Sequence, residues 1–437
     1  MDTAHNPHAK QLPAELGAPA FVDAWKTRAL TIGAIFAVIA VILAFLGQGQ
    51  DGLGWNHLLR GWLLGTMWTW GLAVGGLALL MVQYCSGGKW GLLLRRPLEA
   101  LSRTLPLVFI YWLVIGIFGV SLKKLYLWAQ YTTVSATAEA LRNGLLSEDQ
   151  AHCLNFKRAM LNPFAFWWVG LLCFALWFFY MWRLNSLALQ REAQGPETTP
   201  YWIKKFENIS GPGILVYSVT MTAGAIYWVM SLDPTWFSTM YGLLFLVGQG
   251  YLVLAFSIIV AVSLSKAEPF KTILRQTEQH DLGKLAFAFV MLNIYLNFGQ
   301  FLIIWSGNLP NEINWYLDRI RGSWGIIITL DFIFHWVIPF SMLLSRDLKR
   351  NKKRLVRVCQ WMVFARAFDM FWLIEPNFKD AARNLHFTWG ILEYIAVPGA
   401  LFCFWLAYFC TQLKTRPLVQ TNDPHLAEIL EPEHAVA

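Results

Sequence analysis

The sequence predicts an all-α polytopic membrane protein of about ten transmembrane helices. Three observations carry that expectation. Apolar residues make up 56% of the 437 and charged residues only 14%, against about 25% charged in an average soluble domain. The apolar residues fall in blocks near the ~20 residues that cross a bilayer as a helix. The short alternating strands of a membrane barrel are missing. So few charges cannot coat a soluble globule of this size, and backbone in lipid must satisfy its own hydrogen bonds. The same composition excludes a disordered chain, a coiled coil and a disulfide scaffold.

Ten blocks are read as spans: 27–46, 58–82, 104–120, 163–182, 213–232, 237–264, 285–304, 323–344, 355–373 and 389–409. Residues 1–26 form a polar tail with Pro7, Pro13 and Pro19. The first block is long enough to span, and GQGQ follows it in place of a cleavage site. It is expected to be a retained anchor. The chain is thus read as a tail (1–26), one membrane domain (27–410) and a second tail (411–437).

Ten crossings put both termini on one side. Basic residues concentrate on that side: in the tails and in the loops after spans two, four, six and eight. The densest run is SRDLKRNKKR over 345–354. By the positive-inside rule this side is cytoplasmic. The net charge of +8 is therefore topological. It implies contact with anionic lipids and no nucleic acid, because no basic soluble domain exists to bind one. Cys85, Cys153, Cys173, Cys359, Cys403 and Cys410 form no CxxC or CxxCH pattern, so they are read as small apolar filler.

The connections have signatures of their own. The tight turn 232–236 makes spans five and six antiparallel neighbours. The outer loop 121–162 is the longest, and Ser147 with Gln150 fits a capping box that starts a helix over about 148–161. Segment 89–103 places Arg95, Arg96, Glu99 and Arg103 on one helix face and is expected to lie flat on the cytoplasmic surface. Segment 305–321 is expected on the outer side, with Trp305, Trp315 and Tyr316 at headgroup level.

Ionisable groups inside spans are costly and mark candidate sites. Asp331 and His335 share a face of span eight at i,i+4. Pro339 lacks the N–H that would bond the His335 carbonyl, so that carbonyl is expected to be free. A carboxylate, an imidazole and a carbonyl make a proton-handling site; the alternative is a structural pair holding the bundle. Arg366 and Asp369 in span nine are expected to neutralise one another. Asn293, Asn297 and Gln300 form a polar stripe on span seven, read either as interhelical glue or as a water-filled proton path. His280, Asp281 and Lys284 sit at its cytoplasmic mouth. Glu375, His386 and Glu393 lie towards the outer surface, where snorkelling or loop bonding accounts for them. His57, Arg60, Asp233 and Trp236 are candidate quinol contacts in an outer-face pocket, the alternative being a capped turn and an anchoring belt. Only His335 among the histidines lies deep in a span, so no paired-histidine b-haem site is expected, and no metal site.

Several stretches resemble a known family: GGKWGLLLRRPLEALSRTLPL (87–107), VMSLDPTWFSTMYGLLFLVGQ (229–249), HDLGKLAFAFVMLNIYLNFGQFLIIWSGNLPNEINWYL (280–317), LLSRDLKR (343–350) and FWLIEP (371–376). Together they are similar to the NrfD/polysulfide-reductase-type membrane subunit of alternative complex III, of its ActF type. The resemblance implies ten helices in two four-helix bundles plus two peripheral helices, in a bacterial cytoplasmic (inner) membrane. It implies a subunit of a respiratory quinol:cytochrome c oxidoreductase, not catalytic alone, whose role is proton handling or assembly with quinol or menaquinol contact as a candidate, the related ActC-type subunit being the better seat of the quinol site. This chain would carry no cofactor. Haem c and iron–sulfur clusters would lie in partners: an iron–sulfur subunit, an ActC-type NrfD-like subunit and c-type cytochrome subunits. The family's turn SLDP falls on 231–234 and usually continues with His, where this chain has Thr235. The alternatives from other classes are a stand-alone secondary transporter and a purely structural membrane anchor.

Overall fold

The computed structural model describes residues 15–50, 52–195, 198–378, 389–423 and 425–430. Most of the 1–26 tail, the end of the 411–437 tail and His386 lie outside these. Among the described residues every regular element is helical. In order they are α1 (Phe21–Gln50), α2 (Gly54–Ser86), α3 (Lys89–Ser102) and α4 (Leu105–Val114), which runs into a π-helical turn, Ile115–Ser121. The outer loop holds α5 (Leu127–Gln130), α6 (Val134–Arg142) and α7 (Glu148–Phe156). Then come α8 (Pro163–Glu192), α9 (Thr199–Trp228), α10 (Tyr241–Leu264), α11 (Phe270–Ile273), α12 (Gln276–Gly307) and α13 (Pro310–Ile320). Helix α14 (Trp324–Asp331) passes through a second π turn, Phe332–Val337, into α15 (Ile338–Leu344). The chain continues with α16 (Arg346–Arg350), α17 (Lys352–Ile374), α18 (Trp389–Leu413) and α19 (Leu426–Leu430).

Nine of these helices, among the described residues, are long and apolar enough to cross a bilayer: α1, α2, α3–α4, α8, α9, α10, α12, α14–α15 and α18. The chain is a multi-pass membrane protein. The expected ninth span, 355–373, does form a helix, α17, of 23 residues. It falls short on apolarity because Lys352, Lys353, Arg354, Arg357, Arg366 and Asp369 lie in it. The lipid-facing surfaces are plain: α1 exposes Ile35, Val38 and Phe45, α8 exposes Phe164, Trp168 and Trp182, and α12 exposes Tyr295 and Ile303. Such apolar area is unsuited to water and ordinary in lipid.

Helix α2 is the central mast, with 94% of its apolar stretch buried against 28% for α1. It packs with α4, α8 and α9 on one side, while α10, α12, α14–α15 and α17 form a second group. Contacts of α10 and α17 with α2 join the two groups. Helices α1 and α18 pair beside α2. Close approach there needs small residues: a Cβ on Gly65 of α2 would lie 2.9 Å from Pro398 Cα. Helices α9 and α10 are antiparallel neighbours across the tight turn, since Tyr217 meets Gln249 while Thr222 faces Gly242. The capping box is formed as well, with Ser147 Oγ accepting from the Gln150 amide at 3.2 Å and Gln150 Oε1 from the Ser147 amide at 3.2 Å.

The charged face of α3 departs from expectation. Arg95, Arg96 and Glu99 are buried, because segment 412–423 folds over them. Arg95 pairs with Asp423 and donates to Gln83 Oε1 at 3.0 Å; Glu99 accepts from Arg96 at 2.6 Å and from Arg416 at 3.0 Å. Opposite charges from the later segment replace water as the solvating shell. Segment 305–321 also differs. Trp305 is exposed, but Trp315 and Tyr316 are buried, turned inward over the second helix group.

Candidate functional site

That second group encloses a cavity of about 400 Å³. Five elements build it. Helix α12 contributes Asn293, Asn297 and Gln300, whose i, i+4, i+7 spacing aligns them on one face. The α14–α15 segment contributes Asp331 and His335, α17 contributes Asp369, and α10 contributes Tyr241 and Leu244. Helix α13 closes one end with Trp315 and Tyr316. Most other lining residues are aromatic or aliphatic, so the cavity is an apolar slot with one polar wall.

The polar wall holds a cluster of charge. Single ligand atoms of Asp331, His335 and Asp369 lie within 4.8 Å of one another. His335 Nδ1 is 3.9 Å from Asp369 Oδ1, and the other carboxylate oxygen of Asp369 pairs with Arg366. Arg366 also lies over the Phe245 ring, 5.5 Å from its centroid. Room for the guanidinium exists because residue 248 has no side chain: a Cβ there would stand 2.5 Å from Arg366 Cζ. The two pairs expected from sequence, Asp331/His335 and Arg366/Asp369, are therefore one group. Among the described residues, Asp331 Oδ1, His335 Nε2, Asn293 Nδ2 and Gln300 Oε1 are buried and have no hydrogen-bond partner. In such surroundings an unmet donor or acceptor is costly, and all four belong to residues that line the cavity. A guanidinium already neutralises Asp369, so one uncompensated carboxylate and one imidazole remain for a cation or a proton.

The His335 carbonyl is not free. Tyr251 Oη donates to it at 3.3 Å, and the Tyr251 ring meets the imidazole edge-on at 4.6 Å. The opening left by Pro339 is thus filled from α10, a partner no spacing within span eight could reveal. His280, Asp281 and Lys284 pair among themselves, Lys284 with Asp281 at 2.9 Å and His280 with Asp281 at 4.0 Å. They do not line the cavity. Nine residues separate Lys284 from Asn293, about 14 Å of helix, and buried Ala286 and Val290 lie on that stretch.

Among the described residues the four candidate quinol contacts fall in two groups, each with its own partners. Arg60 pairs with Glu375 at 3.1 Å and lies over Phe378, 3.9 Å from the ring centroid. Glu375 also accepts from Tyr394 Oη, and His57 packs edge-on against the Tyr394 ring. Asp233 turns back on its own loop, accepting from the Thr235 amide at 3.0 Å and its hydroxyl at 2.6 Å. Trp236 stacks on Trp315 at 4.4 Å, behind the cavity wall. Glu375 is thus held by partners in the bundle, not by snorkelling.

The lid helix α13 was legible only as a surface segment. Arg319 locks it, donating to Trp315 O at 3.1 Å, Leu373 O at 3.3 Å and Asn377 Oδ1 at 2.7 Å. Its guanidinium sits 3.7 Å from the Trp315 ring centroid. Burial pushes the Arg319 pKa down to about 10, still charged at neutral pH. Tyr241, Tyr251 and Trp372 had no sequence signal, since aromatic residues occur throughout the spans. Compared with protein-family models and with curated proteins, the chain matches none of them.

Proposed function

We propose that this chain is the NrfD-like, ActF-type membrane subunit of a respiratory quinol:electron-acceptor oxidoreductase, the assembly its motifs resemble. The observation that carries the reading is the cavity: an aromatic-lined slot whose single polar wall holds Asp331, His335 and Asp369 beside Arg366. A quinol headgroup is a flat ring with two hydroxyls. It needs aromatic walls, a proton acceptor and hydrogen-bonding amides, and Asn293 and Gln300 supply the last. In this reading Asp331 and His335 accept the protons released on oxidation, and Arg366 fixes the charge of Asp369. Electrons leave through haem c and iron–sulfur clusters of partner subunits.

Topology supports the family's ten crossings. The Leu418 amide donates to Leu16 O at 2.7 Å, and Lys414 pairs with Asp23 at 2.6 Å. Residues 16 and 418 therefore share one side, which requires an even number of crossings between them. With nine apolar helices, α17 is the tenth; its charged first turn lies at one end and its Arg366/Asp369 pair neutralises itself within. In this reading the basic run at 345–354 favours a cytoplasmic side for both tails, in a bacterial inner membrane.

The test uses the assembled complex purified from membranes. Asp331→Asn and His335→Gln are introduced singly, and quinol oxidation and proton release are measured separately. Both variants are expected to slow quinol oxidation at least tenfold, with proton release falling in step. Unchanged values for both, in a complex that retains its haem-bearing partners, would remove the assignment. Purification as a lone polypeptide that drives solute uptake in vesicles would replace it with the transporter reading.

A further inference from the structure

A second buried acid lies away from the cavity. Glu393, in the second turn of α18, is 0% exposed, and among the described residues neither carboxylate oxygen has a hydrogen-bond or ion-pair partner. Its helix is wedged between α1 and α2. Gly61 of α2 faces the Glu393 backbone, where a Cβ would lie 3.0 Å from its carbonyl oxygen. The stretch of α1 that runs alongside, 29–47, has no titratable side chain at all. The titratable groups on the other packed elements are committed elsewhere. Arg60 of α2 holds Glu375, Tyr394 of α18 donates to that same Glu375, and His57 packs on the Tyr394 ring. Tyr111 of α4 donates to Leu401 O at 3.2 Å. An ionised carboxylate in this place would lose its hydration with nothing in exchange, and buried charge without a partner neutralises itself.

We propose that Glu393 is a neutral carboxylic acid at neutral pH, a proton-bearing site in the membrane core that is independent of the Asp331/His335/Asp369 cavity. Solvent-facing carboxyls, with ordinary pKa values near 4, are ionised at pH 7 and carry no such proton.

The deciding experiment is an infrared difference spectrum of the full protein in membranes at pH 7, wild type minus Glu393→Gln. The expected result is loss of one protonated-carboxyl carbonyl band, which shifts on exchange into deuterium oxide if the proton is mobile. Absence of any such loss overturns the proposal. Should Glu393→Gln fail to accumulate, Glu393→Leu, which buries no polar group, takes its place in the same difference spectrum. Loss of the band supports the proposal, and its retention overturns it. Neither result depends on whether the cavity binds quinol.

Discussion

Asp369→Asn tests whether the buried charges act as one unit. Arg366 and Asp369 are 5% and 6% exposed, and each is the other's ion-pair partner. The guanidinium also lies over the Phe245 ring, which cannot stand in for a counter-charge. Removing one member of such a pair leaves an uncompensated charge and costs about 3–5 kcal/mol. The unfolding entropy is ~2.1 cal/mol/K per residue, or roughly 0.9 kcal/mol/K over 437 residues. The expected fall in Tm is then about 3–5 °C. The double variant Arg366→Met/Asp369→Leu removes the charge together with its partner. It should recover most of the loss, because apolar replacements of a whole buried pair are often neutral or stabilising. The assay is thermal unfolding of wild type, Asp369→Asn, the matching singles Arg366→Met and Asp369→Leu, and the double variant in one detergent, followed by tryptophan fluorescence. Single variants within about 0.5 kcal/mol of wild type, or a double variant whose loss is the sum of the two singles, would refute the reasoning.

Three further expectations come from the same contacts. Tyr251→Phe strips the hydroxyl from the His335 carbonyl and should cost about 1–3 kcal/mol; an unchanged Tm would mean that the carbonyl finds its partner along the helix instead. Arg319→Leu removes the two side-chain bonds that tie α13 to Leu373 and Asn377, so amide exchange across 310–320 should quicken while α2 stays protected; equal protection in the variant would show that aromatic contacts such as the Trp236–Trp315 stack hold the lid without them. Asp423 is subject to burial, which raises its pKa, but Arg95, the His425 amide and Arg191 together outweigh this and hold it below the ordinary carboxylate range. That stabilisation is complete above the unfolded value near 4 and is lost as pH falls through the lower folded value. Protease cleavage within 412–423 should therefore rise only in that acid range, and cleavage that rises between pH 7 and 5 would contradict it.

Much of this fold could be read from composition and spacing, and the reasons are local. Twenty-residue apolar blocks have one solution in lipid, so the helices around 58–82, 163–182 and 237–264 appear where they were expected. Three-and-four spacing put Asn293, Asn297 and Gln300 on one face and Asp331 with His335 on another. Periodicity within a helix cannot say which faces meet. That Asp369 and Arg366 join Asp331 and His335, or that Tyr251 reaches the His335 carbonyl, depends on how α10, α14–α15 and α17 cross. The isolation of Glu393 was hidden for the same reason: its position near a helix end suggested water, while the antiparallel α1 alongside removes it. The amphipathic pattern of α3 was read correctly as a helix and incorrectly as a wet one, because its covering partner lies some 320 residues later, at Arg416 to Asp423.

That last separation has a consequence for the order in which the protein is made. Arg95, Arg96 and Glu99 leave the ribosome early, yet Arg416, Gln420 and Asp423 arrive only after the last long helix. Until then the α3 cluster is a set of half-matched charges at the edge of an incomplete bundle. The closing strap both finishes the fold and marks it finished, so a product halted anywhere short of residue 416 carries an open, charged seam on which quality-control machinery can act.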